Sequence, residues 1–196
     1  MFHRYLGTGG IVIDVGANQG FVATIFASIV GPKGRVFSFE PSKRTFSKLL
    51  KTILVNGLDQ IKPYNLACGR EACTAVLNAP SLSSGMNTIV GQGIDPGRSE
   101  EIEVVALDSV DELRESKVDL LKMDAEGYEP EVLLGAKGII STFKPVICIE
   151  LGRLYLQSSE KSLRILEELG YETTLPDDVD WRELNVINVV FMPRDP

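Results

Sequence analysis

Short apolar runs rich in valine and isoleucine alternate along this chain with longer stretches of helical periodicity. Such runs are typical of strands buried on both faces, and the intervening helices supply the crossovers that parallel strands require. The pattern predicts a doubly wound α/β fold, with helices on both faces of a mostly parallel sheet. The chain has 196 residues, so we expect a single domain over residues 1–196.

The order of the predicted elements follows from the apolar runs and from the glycine, proline and asparagine residues between them. The predicted strands span Ile11–Val15, Arg35–Phe39, Ile61–Ala67, Ala75–Leu77, Ile102–Ala106, Val118–Met123, Val146–Glu150, Tyr171–Leu175 and Val186–Met192. The predicted helices run from about Gly20 to Val30, from the N-cap Ser42 to Asn56, from Ser109 to about Ser116 behind the cap Asp108, from Pro130 to Gly138, and through Leu163, Leu166 and Leu169.

Two of these segments are singled out by their pattern. After Ser42, one helical face carries Phe46, Leu49, Leu50, Ile53 and Leu54, which makes this the best-defined helix. Over Ser81–Gly97 the chain is rich in serine, glycine and asparagine, and a loop of this length is often a lid or a binding element.

The stretch VIDVGANQGF, Val12–Phe21, changes character where the first predicted strand ends. Apolar residues lead to Asp14, and alternate positions are then taken by Gly16, Asn18 and Gly20. Glycine permits a tight turn and a close approach of a ligand to the main chain, and asparagine tolerates left-handed backbone angles. In an open parallel sheet, ligands bind beyond the carboxyl ends of the strands. The loop is therefore a candidate nucleotide-binding turn.

Glu40 supports this interpretation, because it follows the second predicted strand about 20 residues after Gly20. A carboxylate at that place can accept hydrogen bonds from both hydroxyls of a ribose. The dinucleotide fingerprint Gly-x-Gly-x-x-Gly is absent, since Asn18 and Phe21 break it, and no phosphate loop ending in Gly-Lys-Ser/Thr occurs. The sequence thus favours a ligand that has a ribose but no phosphate.

Several motifs resemble, in the same order, those of the FkbM-type S-adenosylmethionine-dependent methyltransferases, within the class I methyltransferase fold. They are IDVGANQGF, FSFEPS, NLACG, VVALDSV and LLKMDAEGYE, and they cover about Ile11–Leu151. The segment DAEGYE, Asp124–Glu129, is similar to that family's signature at the end of the fourth strand. The resemblance implies a Rossmann-like, seven-stranded sheet of order 3-2-1-4-5-7-6 whose last strand is antiparallel.

The same resemblance implies S-adenosylmethionine as the cofactor. The glycine-rich turn would surround the methionine portion, Glu40 would bind the ribose, and Ala67 would lie near the adenine. The predicted cofactor-binding residues are Asp14, Gly16, Ala17, Asn18, Gly20, Glu40, Pro41, Ala67 and Asp124.

The candidate catalytic residues are Asp124 and Glu126. Methyl transfer to a hydroxyl requires an acceptor in line with the donor bond and a group that takes one proton. These two acids and Glu150 lie at or just past the ends of predicted central strands, so all three face one crevice. Two carboxylates two residues apart can raise each other's pKa, which would suit a base. Alternatively, one of them caps the helix near Pro130.

Charge and cysteine content narrow the choice of partners. The net charge is −7, and no run of lysine or arginine offsets it, so we do not expect a nucleic-acid partner. Cys68, Cys73 and Cys148 have neither a Cys-x-x-Cys spacing nor a histidine partner, which predicts reduced thiols, no metal site and a cytoplasmic location. No apolar run has membrane-spanning length and no leader pattern is present, so membrane association is not expected.

The sequence predicts a methyltransferase that uses S-adenosylmethionine, and the resemblance implies that the acceptor is a hydroxyl oxygen of a sugar or small secondary metabolite. Two alternatives stay open. A nicotinamide-dependent oxidoreductase would have its ribose-binding acid at the same place, although the third glycine and a Tyr-x-x-x-Lys pair are absent. A non-catalytic nucleotide-binding module would keep the fold and transfer nothing.

Overall fold

The computed structural model describes residues 2–78, 99–176 and 178–194, so the predicted loop over Ser81–Gly97 lies outside the described residues. The strands are β1 (Ile11–Val15), β2 (Arg35–Phe39), β3 (Ile61–Tyr64), β4 (Ala67–Cys68), β5 (Cys73–Asn78), β6 (Ser99–Val105), β7 (Leu120–Met123), β8 (Val146–Leu151), β9 (Tyr171–Thr173) and β10 (Ile187–Pro193). The α-helices are α1 (Phe21–Val30), α2 (Lys43–Asn56), α3 (Asp111–Arg114), α4 (Glu129–Leu134), α5 (Lys137–Phe143) and α6 (Leu156–Glu168).

Seven strands form one sheet in the order β3-β2-β1-β7-β8-β10-β9. The pairs from β3 through β8 are parallel, whereas β10 runs antiparallel to both β8 and β9. Numbered along the chain within this sheet, the strands follow 3-2-1-4-5-7-6, so the predicted topology is confirmed. Strand order reverses between β1 and β7, which places a crevice beyond the carboxyl ends of these two strands.

The central strands are buried on both faces, which explains why they read as continuous apolar runs. On one face Val12, Leu120 and Val146 pack with residues of α1, including Phe26. On the other face the core includes Ile13, Leu121 and Ile147 together with residues of α4, α5 and α6. The predicted placement of helices on both faces is therefore confirmed. Among the described helices, none is both long and apolar enough to cross a bilayer.

A second, smaller sheet has the order β4-β6-β5 and was not predicted as a separate unit. The sequence predicted one strand over Ile61–Ala67, but β3 ends at Tyr64 and Ala67 pairs with β6. The cause is Asn65, whose side-chain amide donates to the carbonyl oxygens of Glu40 and Pro41 at 2.9 Å each. These bonds turn the chain over the end of β2, so the small sheet lies beside the crevice.

The helix α2 forms where it was predicted, but its apolar face is only partly buried. Ser42 is the N-cap and accepts a hydrogen bond from the Thr45 amide, and Gly57 closes the helix with a φ of 60°. Leu49 is fully buried, whereas Leu50 is 43% and Leu54 is 81% exposed. Because α2 packs against β3, an edge strand of the sheet, only a narrow strip of the helix is covered.

Asp108 caps a different helix from the predicted one. Its carboxylate accepts hydrogen bonds from the amides of Gly138 at 2.7 Å and Ile139 at 2.9 Å, in the first turn of α5. The sequence had instead predicted one helix from Pro130 to Gly138. The structure divides it into α4, which ends at Leu134, and α5, which begins at Lys137. Between them, Gly135 leaves no room for a side chain, because a Cβ there would lie 1.9 Å from the carbonyl oxygen of Gly69.

We expect Leu49→Ala to lower the free energy of unfolding by ~2–4 kcal/mol, because it removes a fully buried side chain and leaves a cavity. The matched control Leu54→Ala removes an exposed leucine from the same helix and should change it by less than about 0.5 kcal/mol. Urea denaturation measures both values. Equal losses of unfolding free energy in the two variants would contradict the observation that α2 buries Leu49 and exposes Leu54.

Candidate active site

An open cleft lies beyond the carboxyl ends of β1, β2 and β7. Seven of the predicted site residues line it: Gly16, Asn18, Glu40, Pro41, Ala67, Asp124 and Glu126. Residues that the sequence reasoning did not identify also line it, among them Phe39, Leu66, Cys68, Leu77 and Tyr128. Leu77 belongs to β5 of the small sheet. The sequence pattern of the main sheet therefore could not identify it as a site residue.

Three predicted residues lie close to the cleft without lining it. Asp14 is fully buried beneath the floor, and Ala17 is buried in the turn. Gly20 faces α2, because a Cβ there would lie 2.7 Å from Cδ1 of Leu49. Close packing between helix and turn, rather than room for a ligand, therefore explains this glycine.

Packing within the protein also explains why residue 16 is a glycine. Its φ is 72°, and a Cβ at this position would lie only 1.9 Å from the carbonyl oxygen of Asp124. The amides of Gly16 and Ala17 both donate to the carbonyl oxygen of Phe39 at 3.0 Å. The turn is thus held between the ends of β2 and β7, and Asn18, with a φ of 52°, completes its left-handed bend.

Glu40 points toward this turn. One carboxylate oxygen accepts from the Asn18 amide and the other from the Ser42 amide, both at 3.0 Å. Burial raises the pKa of Glu40 to about 7, although these two hydrogen bonds oppose the shift. A buried carboxylate with one backbone donor on each oxygen keeps lone pairs that can accept further hydrogen bonds from a ligand.

The turn over Asp124–Glu129 is stabilised by its own last residue. Glu129 is buried, and its Oε1 accepts from the amides of Ala125 at 2.8 Å and Gly127 at 3.4 Å. The N-cap residue of α4, Tyr128, makes no side-chain capping bond. Among the residues that the structure describes, Glu129 is therefore the acid that binds the backbone amides of this turn, and no side chain caps α4 as the alternative for Asp124 or Glu126 had supposed.

Glu126 lines the cleft, and Glu150, which does not line it, lies near enough for their charges to interact. The hydroxyl of Tyr155 donates a hydrogen bond to Oε2 of Glu126. Burial raises the pKa of Glu126, the bond from Tyr155 lowers it, and Asp124 raises it further. At the end of β8, burial and the nearby charges of Asp124, Glu126 and Glu129 raise the pKa of Glu150 to about 7. The expected effect of Asp124 on the pKa of Glu126 thus exists, but burial is the larger cause.

Comparison with known proteins decides the family. The sequence model of the FkbM methyltransferase domain matches residues 14–173, which is most of the chain. The chain belongs to the FkbM methyltransferase family. The match extends from the buried Asp14 to the end of β9, so it contains the glycine-rich turn, Glu40 and the Asp124–Glu129 signature of the cleft. This assignment favours neither the oxidoreductase nor the non-catalytic module.

Individual proteins are similar to this chain in sequence or in fold. Methyltransferase 1 of Beauveria bassiana is 24% identical over an alignment of 143 residues that covers 63% of this chain and 57% of that protein. The crystal structure of methyltransferase FkbM from Methylobacillus flagellatus has a TM-score of 0.63 at 19% identity and covers 94% of this chain and 44% of its own. Aeropyrum pernix fibrillarin, solved with natively bound S-adenosylmethionine, has a TM-score of 0.56 at 14% identity, and the match covers 96% of this chain and 68% of fibrillarin. This FkbM chain spans about half the length of the first two relatives.

Lys122 is a residue of this FkbM chain that the sequence reasoning missed. Its Nζ lies 3.4 Å from Oδ1 of Asp14 and 3.5 Å from Oδ2 of Asp124, under the floor of the cleft. A lysine inside the apolar run Leu120–Met123 was the available signal, because a charge within a buried strand is rare unless it is paired.

The structure predicts a pH dependence of stability that belongs to Glu40. Folding raises its pKa from 4.5 to about 7. The corresponding stabilisation is therefore complete below about pH 4.5 and is lost as the pH rises through 7. Between pH 4.5 and pH 7 the free energy of unfolding of the wild type should fall as this stabilisation is lost. In Glu40→Gln, which has no carboxyl group to titrate, the fall should be smaller by up to about 3 kcal/mol. Urea denaturation at a series of pH values tests this, and parallel profiles for the two proteins would contradict it.

Proposed function

We propose that this chain binds S-adenosylmethionine in the cleft and transfers its methyl group to a hydroxyl oxygen of a sugar or small metabolite. The observation that carries the proposal is the carboxylate of Glu40, bonded to the Asn18 amide at the glycine-rich turn and lining the same cleft as Asp124. This arrangement supports a ligand with a ribose, and the FkbM family supports methyl transfer.

The cleft fits the adenosine portion of this ligand in two ways. The lone pairs that remain on Glu40 can accept hydrogen bonds from the two ribose hydroxyls. Beside it, Phe39, Leu66, Ala67 and Leu77 form an apolar wall, which suits the flat face of an adenine. The fold itself holds S-adenosylmethionine in fibrillarin, which supports the same donor here.

The methionine portion also finds a matching group. Asn18 lines the cleft, and its side-chain oxygen is buried with no hydrogen-bond partner in the described part of the chain. An unsatisfied buried acceptor is costly, so a donor from the ligand would stabilise it. The ammonium of the methionine portion is such a donor.

When bound, S-adenosylmethionine supplies a methyl group that its sulfonium has already activated. The protein has to hold the acceptor hydroxyl in line and to take its proton. We assign contact with the acceptor to Asp124 and Glu126, and acceptance of the proton to Glu126. The raised pKa of Glu126 suits a base, and the hydroxyl of Tyr155 holds its carboxylate in place.

The acidic character of the protein supports a small uncharged acceptor over nucleic acid. The net charge is −7, and the carboxylates of Glu40, Asp124 and Glu126 line the cleft. Such a surface repels a phosphate backbone. Carboxylates are good acceptors for the hydroxyl groups of sugars, because each has about four lone pairs.

Calorimetric titration with S-adenosylmethionine tests the donor. We expect the wild-type protein to bind it and Glu40→Ala to weaken binding by ~1–3 kcal/mol, the usual cost of removing one partner from buried hydrogen bonds. Glu115→Ala, which removes an exposed carboxylate next to α3, is the control and should bind like the wild type. Equal affinities for all three proteins would remove Glu40 from the site, and no binding by the folded wild type would refute the donor.

A mass-spectrometric screen identifies the acceptor. The protein is incubated with methyl-labelled S-adenosylmethionine and either a panel of sugars and small hydroxylated metabolites or ribosomal RNA. We expect label only in the small molecules, and label in the RNA would contradict the proposed acceptor class. With an active acceptor, Glu126→Gln should lower kcat by about 10²–10⁴ while the affinity for the donor stays unchanged. A kcat like that of Glu115→Gln would exclude Glu126 as the base.

A further inference from the structure

Lys122 is a cation within the central sheet. It lies on β7 between Leu121 and Met123, which are fully buried, and its own side chain is 6% exposed. In the register of the sheet it lies opposite Asp14 of β1 on one side and Cys148 of β8 on the other. Burying a charge at such a place is costly unless other groups compensate it.

The ammonium of Lys122 reaches three groups at the ends of β1 and β7. It lies 3.4 Å from Oδ1 of Asp14 and 3.5 Å from Oδ2 of Asp124. It also donates to the carbonyl oxygen of Gly16 at 3.3 Å. One side chain therefore connects the glycine-rich turn with the signature turn that follows β7.

The three partners of Lys122 differ in their access to the cleft. Gly16 and Asp124 line the cleft, and the side chain of Asp124 is 36% exposed. Asp14 does not line it, is fully buried, and makes no side-chain hydrogen bond within normal limits among the described residues. The ion pair with Lys122 is thus the direct charge compensation of Asp14, and a ligand in the cleft faces Gly16 and Asp124.

We infer that Lys122 is a positioning residue and Asp14 its buried counter-ion, and that together they hold the Gly16 carbonyl and the Asp124 carboxylate at the cleft floor. Asp14 then serves the site without touching the ligand, in contrast to the role that the family resemblance implies for it. This inference rests on the proposed function, because Gly16 and Asp124 line the cleft in which the donor would bind and meet the acceptor.

Neighbouring charges keep Lys122 protonated. Burial lowers its pKa, but Asp14 and Asp124 raise it by more, so the net shift is upward. Burial raises the pKa of Asp14, and Lys122 opposes this shift. The other titratable groups that interact with this pair are Cys148 beside it, Glu40 near Asp14, Glu126 in the cleft and Glu150 on β8.

Charge-removing variants separate the positioning role from a purely structural one. Lys122→Met leaves Asp14 buried without a counter-ion, so the pKa of Asp14 rises further. The stabilisation that protonation of Asp14 provides is lost as the pH rises through this raised pKa, so the free energy of unfolding of this variant should fall with rising pH more steeply than that of the wild type. Asp14→Asn/Lys122→Met has no buried charge in this pair and should lose the added slope. The double variant also keeps the test informative if Lys122→Met does not fold.

Calorimetry with S-adenosylmethionine and with adenosine gives the second readout. The double variant should bind adenosine within about threefold of the wild type, because the site of Glu40 is retained, but should bind S-adenosylmethionine about tenfold more weakly. Asp14→Asn alone should also weaken S-adenosylmethionine binding, and adding it to Lys122→Met should cause no further loss, since both act through one unit.

Three results would overturn the inference: wild-type affinity for S-adenosylmethionine in the double variant, an equal loss for both ligands, or losses from the two single variants that multiply. The last result would mean that Asp14 contacts the ligand itself. A folded wild-type protein that binds neither ligand would refute the proposed function, which is a different outcome from wild-type binding with unaffected variants.

Discussion

The ends of β1 and β7 lie so close together that residue 16 has no room for a side chain. A Cβ on Gly16 would overlap the carbonyl oxygen of Asp124, at a distance of only 1.9 Å. This contact determines where the glycine-rich turn lies relative to the signature turn. Since both turns line the cleft, the shape of the candidate site depends first on a main-chain contact and only then on side chains.

Three polar side chains are buried beneath this contact, and burying such groups generally costs folding free energy. Asp14, Lys122 and Ser38 are buried in neighbouring strands, in a layer where most strand residues are apolar. Replacing a buried ion pair by apolar residues often costs no stability. Its presence directly under the cleft therefore fits a role in positioning, and stability alone does not account for it.

The cleft itself is acidic, and this has consequences for the ligand. Glu40 and Glu126, which line the cleft, have raised pKa values because burial disfavours their charged forms. A cationic ligand lowers that penalty, whereas a phosphate would increase the repulsion. The same electrostatics that suit a sulfonium thus disfavour the nucleotides whose binding motifs the sequence lacks.

The sequence by itself determined the α/β class, the glycine-rich turn and the acid at the end of β2, because each depends on residues adjacent in the chain or on a fixed spacing. The family resemblance added the strand order. Only the tertiary structure decided that Leu54 is exposed, that Asp108 caps α5, that Leu77 reaches the cleft, and that Lys122 joins Asp14 to Asp124. These facts depend on which distant segments meet. Local periodicity does not encode such meetings, because they follow from strand register and from the packing of helices across the sheet.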